Sequence, residues 1–316
     1  MSLPIISIVL PVYNGMKYLK ESINSVLEQE FTSFELLILN DCSTDDSWRY
    51  LNSIKDDRVK LFNNDVNKGL FFNLNFLIQQ STASLIKLWA QDDIMHPNCI
   101  KEIVQFHLNN PEIGFSYTGR DYMYEDSVPF TVGGVDITPS IIYKEMHARI
   151  AFFTGSIAAN ISIVTLNKMA LKNSGLFNQN MKISGDFEMY VRLAKEYPIG
   201  FIREKLVLVR EHKEQLSKQE KYYIYLLKED IIAYNYLFSY LNKSQRKEGR
   251  HLLRNHKLLY FYTLMIKAFF KGHFIVFYIF FRTLKDFDNI ILLSFYFIRN
   301  RILFPKKFDR FELFKK

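Results

Sequence analysis

A chain of 316 residues that is 48% hydrophobic can bury one large domain or two smaller ones, which excludes a disordered chain. Its two cysteines, Cys42 and Cys99, are too few for a disulfide framework and lack C-x-x-C spacing, so a reducing, cytoplasmic compartment is expected. The net charge of +8 is uneven, because residues 217–316 carry 20 Lys and Arg against 8 Asp and Glu, together with 25 of the 50 aromatics. This break predicts a boundary near residue 216, with one unit over 1–216 and a second, of different purpose, over 217–316.

The opening stretch MSLPIISIVLPVYNG is apolar but has no basic leader and no small-residue cleavage site. Ile5 to Val12 therefore reads as a first strand, not a signal peptide, and it runs into the turn Tyr13-Asn14-Gly15. Leu19, Ile23, Val26 and Leu27 then recur at the spacing of one buried helix face. FELLILN, residues 34–40, is a continuous apolar run of strand length, and Ser43-x-x-Asp46 resembles a capping box opening a helix to about Ile54. A short strand at Val59 to Phe62, a helix from Leu70 to Gln80 and a strand from Leu85 to Ala90 repeat the alternation. Strands apolar on both faces, alternating with helices, predict an α/β fold with a mostly parallel sheet covered by helices.

Ligands of such sheets bind beyond the carboxyl ends of the strands. Three predicted strand ends carry polar groups: Tyr13-Asn14, then Asn40-Asp41-Cys42-Ser43, then Asp92-Asp93. A parallel sheet brings all three to one edge, whereas a solvated loop would need no such convergence. Two adjacent carboxylates lining a cleft repel each other unless a cation or a shifted pKa relieves them. A hard divalent cation is the simplest relief, and magnesium typically takes one or two carboxylates plus substrate phosphates. The implied ligand is a nucleoside diphosphate, with Asp41 suited to a nucleobase N–H and Tyr13 to stacking on the base. The turn PVYNGMKYL lacks G-x-G-x-x-G and no G-x-x-x-x-G-K-[ST] occurs, which removes the dinucleotide and P-loop alternatives.

The ordered segments SIVLPVYNG, FELLILNDCSTDDS, NKGLFFNLN, LWAQDDIMHP and SGDFEMYVRLA resemble the family 2 glycosyltransferases of GT-A fold, over roughly residues 4–216. The resemblance implies an inverting transfer of sugar from a nucleotide-sugar donor to an acceptor hydroxyl, with Mn2+ or Mg2+ as cofactor. By position it implies that Pro11 and Tyr13 flank the nucleotide, that Asp41 faces the base, and that Asp92 and Asp93 serve ribose and metal, Asp93 being the expected metal ligand. Lys68 joins the nucleotide-binding set and Arg210-x-His212 lies near metal or phosphate, with His212 as a second metal ligand. Surface lysine and solvated loop are the plain alternatives for these two. Asp186, at the start of a helical pattern, is implied as the catalytic base, an ordinary N-cap being the alternative. Asn40, Cys42 and Ala90 depart from residues common in the family. The processive Gln-x-x-Arg-Trp motif is absent, so one sugar per event is expected.

The second unit begins with a basic stripe, Lys243, Arg246, Lys247, Arg250, Arg254 and Lys257, spaced for one helical face. Long apolar, aromatic stretches follow, broken by Arg282, Lys285, Asp286 and Asp288, and charges at a helix centre disfavour spanning a bilayer. Amphipathic helices on an anionic membrane surface are therefore expected, with an aromatic bundle packed on the first unit as the alternative. No motif supports nucleic acid. The expectation is a peripheral enzyme of the inner membrane face that acts on a lipid-linked saccharide in bacterial capsule or O-antigen synthesis, with a UDP-sugar as donor. A nucleotidyltransferase, which would release pyrophosphate, and a non-catalytic membrane-binding scaffold are the rivals.

Overall fold

A computed structural model describes residues 3–125, 127–132, 137–215 and 218–304. Strands β1 (Ile6–Val12), β2 (Phe34–Asn40), β3 (Val59–Asn63) and β4 (Leu85–Leu88) pair in parallel in the order β3-β2-β1-β4. β1 and β2 are buried almost throughout, as their unbroken apolar runs require. The sheet continues beyond β4 through β8 (Val164–Asn167), β6 (Phe115–Tyr124), β9 (Ile199–Glu211) and β5 (Ile94–Met95), while β7 (Ile141–Ile142) also pairs with β9. Because β8 is antiparallel to both β4 and β6, and β6 is parallel to β9, six of the nine strands run the same way. The carboxyl ends of β1, β2, β3, β4, β6 and β9 therefore share one edge. A bulge between Thr118 and Arg120 shifts the β6–β9 register, and Gly119 is needed there because a Cβ would lie 2.5 Å from the Arg203 carbonyl oxygen.

The covering helices of this unit are α1 (Met16–Leu27), α2 (Ser47–Ser53), α3 (Leu70–Gln80), α4 (Cys99–Asn109), α5 (Lys144–Thr154), α6 (Lys168–Ser174) and α7 (Gly185–Glu196). Leu19, Ile23 and Val26 of α1 are fully buried, as the spacing predicts. The expected capping box does not form: α2 begins at Ser47, and Asp46 makes no side-chain cap. Ser43 Oγ instead accepts the Asn14 N–H at 3.0 Å, and Asp45 accepts those of Met16 and Ser47, each at 3.0 Å. The turn after β1 has unpaired amides of its own and draws Ser43 away from the helix end, while Asp45 serves both that turn and the first residue of α2.

Past residue 217 come α8 (Tyr223–Tyr240), α9 (Lys243–Asn255), α10 (Lys257–Phe270), α11 (Phe274–Phe287) and α12 (Ile290–Phe297). The expected boundary at residues 216 and 217 falls outside the described residues. The inner faces of these helices form a second apolar cluster that takes in Phe152 of α5 and Phe187 and Val191 of α7. The packed-bundle alternative thus describes the inner face. The basic stripe is divided: Lys257 opens α10 instead of sharing the α9 face, and Arg250 and Arg254 approach the buried Asp288 carboxylate at 3.7 and 2.6 Å. Lys243, Arg246 and Lys247 remain exposed. The outer face is apolar, with Phe270 at 82% exposure and Ile275 and Ile291 each at 79%. No helix among the described residues is long and apolar enough to cross a membrane.

Contact between the units can be tested at Gly249 of α9, where any Cβ would run into the Phe152 ring. Overpacking of this kind costs about 1–3 kcal/mol, against at most about 1 kcal/mol gained by removing a helical glycine. Gly249→Leu should lower the melting temperature of the full chain. An unchanged value would mean that α9 does not sit against α5.

Candidate active site

The surroundings of Asp41 are built from the ends of β2 and β3 and the start of α3. Asp41 is 2% exposed, and its Oδ1 accepts from Asn64 Nδ2 and the Lys68 N–H, both at 2.8 Å, while Oδ2 accepts from the Gly69 N–H at 3.0 Å. Asn64 also donates to Asn73 Oδ1 of α3 at 2.8 Å. Gly69 precedes α3 at φ +85°, a conformation that favours glycine and that aims its amide at the carboxylate. Three of roughly four lone-pair positions on Asp41 are thereby filled, which leaves one for an incoming donor. Lys68 enters this network through its backbone, whereas its ammonium lies 4.7 Å from the Phe72 ring centre. Pro11 is a half-buried residue of β1, in register with Leu39.

Tyr13 is half exposed after β1, and the Gln91 amide holds its backbone from both sides, accepting from its N–H at 2.9 Å and donating to its carbonyl at 3.1 Å. Asn14, at φ 47°, accepts the Thr44 N–H at 2.8 Å. These bonds tie the ends of β1, β2 and β4 into one rim. Gln91 is not among the residues read from sequence, and only its place before Asp92-Asp93 could have pointed to it.

The two adjacent acids face different ways. Asp93 is 1% exposed, and its Oδ1 accepts the Arg210 N–H at 2.9 Å while Oδ2 faces Asn160 Nδ2 at 3.5 Å. Burial and the neighbouring Asp92 charge push the Asp93 carboxyl up to about 7. Asp92 lies outward, with Oδ2 at 2.9 Å from His212 Nε2. The buried Arg210 guanidinium fixes the arrangement, donating to the Asp92 carbonyl at 3.0 Å, to the Glu125 carbonyl and to Glu21, and lying 4.4 Å from the Tyr18 ring centre. Asp93 thus accepts one main-chain N–H and lies 3.5 Å from the Asn160 amide nitrogen, while Asp92 is the acid beside His212.

No group of three His, Cys, Asp or Glu side chains that could hold a metal ion occurs among the described residues. Asp92 and His212 nevertheless fit a hard divalent cation in one way, as a two-donor set completed by ligand phosphates. His212 Nδ1 is buried without a hydrogen-bond partner among the described residues, and the ring packs 5.3 Å from that of Tyr18.

Asp186 stands in the first turn of α7. The helix start lies against α3, since a Cβ on Gly185 would meet the Phe71 ring at 2.7 Å, two residues beyond Gly69. Ser184 holds the cap position of α7, and the Asp186 carboxylate accepts from the main-chain amides of residues 186 and 187 at the helix start. Burial pushes the Asp186 carboxyl up to about 6, and Asp230 and Glu229 of α8 push in the same direction. Those two acids were missed in the sequence, where the only signal was a charged pair inside the aromatic run of α8.

Residues 7–159 match the sequence model described as glycosyl transferase family 2. A candidate glycosyltransferase of Bacillus subtilis strain 168, EpsE, is 26% identical over 236 residues, which is 73% of this chain and 81% of that protein. WcaA of Escherichia coli K12, a candidate colanic acid biosynthesis glycosyl transferase, is 26% identical over 61% of this chain and 67% of its own. An uncharacterized glycosyltransferase of Rickettsia felis is 26% identical over 68% of this chain but only 36% of its own length. The chain thus spans about a third to two thirds of several curated relatives. Among solved structures, Staphylococcus aureus TarS 1-349 in complex with UDP superposes with a TM-score of 0.60 at 15% identity, covering 79% of this chain and 69% of that one. The mannosyltransferase PcManGT of Pyrobaculum calidifontis, in complex with GDP-Man and Mn2+, gives 0.55 at 13% identity over 80% and 69%. These likenesses show the GT-A fold.

The inward and outward acids should separate in stability. Asp93→Ala strands the buried Arg210 N–H and should cost about 1–3 kcal/mol, whereas Asp92→Ala should cost less than about 1. Thermal unfolding of both variants checks this, and equal losses would contradict the orientations described.

Proposed function

Because the chain belongs to glycosyl transferase family 2, we propose that it is an inverting enzyme that moves one hexose from a nucleotide-sugar to a saccharide hydroxyl. The observation that supports this reading is the shared edge of the sheet, where the hydrogen-bonded Asp41 and the Asp92–His212 pair stand and where the start of α7, which carries Asp186, packs against α3 beside Gly69. In this reading the remaining lone pair of Asp41 receives a base N–H, Tyr13 covers the base, and Pro11 and the Lys68 backbone shape the pocket. Uracil is the proposed base, in keeping with the complexes of TarS with UDP and UDP-GlcNAc.

The acceptor hydroxyl oxygen attacks carbon 1 of the donor sugar as the bond to the diphosphate oxygen breaks, and its proton passes to Asp186. A carboxyl raised to about 6 is ionised at neutral pH yet retains more proton affinity than an ordinary aspartate. Asp92 and His212 would hold Mn2+ or Mg2+ together with the diphosphate, and a bound ion there supplies charge neutralisation for the leaving group.

The apolar outer face of α10 to α12 and the exposed lysines and arginine of α9 support peripheral attachment to an anionic membrane on its cytoplasmic side. That setting suits a lipid-linked acceptor in bacterial surface polysaccharide synthesis, as the name of WcaA also suggests.

Asp186→Asn should leave UDP affinity intact and lower turnover by ~10²–10⁴-fold. In the unmodified enzyme the base must be ionised, so kcat should fall as pH drops through about 6. Near-normal turnover by the variant, or a rate flat across that range, would exclude Asp186 as the base. For the tail, replacing Phe274 and Ile275 by Ser should reduce co-sedimentation with phosphatidylserine vesicles by about tenfold or more, since each exposed side chain contributes about 1.5–3 kcal/mol when buried. Undiminished binding would place the membrane face elsewhere.

A further inference from the structure

Three consecutive main-chain amides lead into α7, and one side chain of α8 receives them all. Lys182 donates to Glu229 Oε1 at 2.8 Å, while Ile183 and Ser184 donate to Oε2 at 2.9 and 2.8 Å. The next residue, Asp230, accepts the Ser184 hydroxyl on Oδ1 at 2.8 Å. Both acids are buried, at 6% and 3% exposure. Two adjacent buried carboxylates cost a bundle several kcal/mol unless their partners compensate, so apolar cohesion gives no reason for them. Their partners lie in one place, the turn that carries Asp186 two residues further on.

Ser184 holds the cap position of α7, yet its hydroxyl turns to Asp230 and makes no cap bond to that helix. The turn is therefore held from outside, by α8. Lys257, at the start of α10, lies behind Asp230 and favours its ionised form, and the lysine stem packs on Gly155 at the end of α5.

We propose that Glu229 and Asp230 are positioning residues of the transfer reaction, fixing the 182–184 turn and through it the Asp186 carboxylate. The proposal rests on the reading of Asp186 as the base. The groups that face Asp186 are Tyr190, one turn along α7, and Asp230 and Glu229 of α8. Their field adds to burial in raising its proton affinity, so α8 both places the base and strengthens it at neutral pH. The helical region is in this sense part of the active site.

The test uses the full chain with Glu229→Gln, which keeps side-chain size but puts an amide donor where backbone N–H groups converge. Three results are expected. Hydrogen exchange at the amides of residues 182–184 should accelerate by about tenfold or more. The Asp186 carboxyl, followed by carbon-13 NMR, should titrate at lower pH, because a nearby negative charge has gone. With the sugar nucleotide that the unmodified chain turns over, kcat should fall by about 10–100-fold while UDP affinity stays within about twofold. Asp230→Asn should move all three in the same direction by less, and it serves if Glu229→Gln does not fold. Faster exchange with an unchanged midpoint and an unchanged kcat would overturn the proposal, as would UDP affinity falling in step with kcat. If the unmodified chain turns over no sugar nucleotide, the transferase reading fails. The hold of α8 on the turn then stands or falls on exchange and midpoint alone.

Discussion

Two neighbouring aspartates at the end of a buried strand cannot both present a charge to the same cleft without a device that parts them. Here the device is Arg210, whose backbone amide takes Asp93 and whose guanidinium takes the Asp92 carbonyl. One acid is drawn into the protein, where burial and its neighbour's charge raise its proton affinity, and the other is turned out beside His212. Because Arg210 also reaches Glu125 at the end of β6 and Glu21 on α1, the same side chain fastens the two halves of the sheet where the site forms.

Sheet direction does the rest of the assembly. Six strands that run one way deliver their carboxyl ends to one edge, and the loops there are laced by side chains of Asn14, Ser43, Asp45 and Gln91. Polar loops bonded to one another need little from the core. A rim of this kind can hold charged ligands while the apolar cluster beneath β1 and β2 stays dry.

Periodicity and apolar runs made β2 and α3 legible to the residue, since both are bounded by turn-forming sequence and have no competing partners. The convergence of Asp41 with the Asp92-Asp93 pair was equally legible, because it follows from strand direction alone. Orientation was not. Which of two adjacent acids faces inward depends on Arg210, 117 residues later in the chain. The failed capping box at Ser43 and the divided basic stripe have the same origin, because distant partners in Asn14 and Asp288 outbid the local pattern. Glu229 and Asp230 were hidden for a further reason: charge within an aromatic helix reads as interruption until the turn it serves is in view. The helical region accordingly has two faces, one joined to the sheet-bearing unit through Phe152 and Phe187 and the other apolar and open.

The proposed activity is sugar transfer from a nucleotide-sugar held beside Asp41 and Asp92, with Asp186 as the base. Its most direct test is to incubate the full chain with UDP-sugars and a lipid-linked saccharide acceptor, with and without Mn2+, and to analyse the released nucleotide. The expected product is UDP, formed with the glycosylated acceptor and dependent on the ion. Release of pyrophosphate, or UDP binding without turnover of any donor, would contradict it.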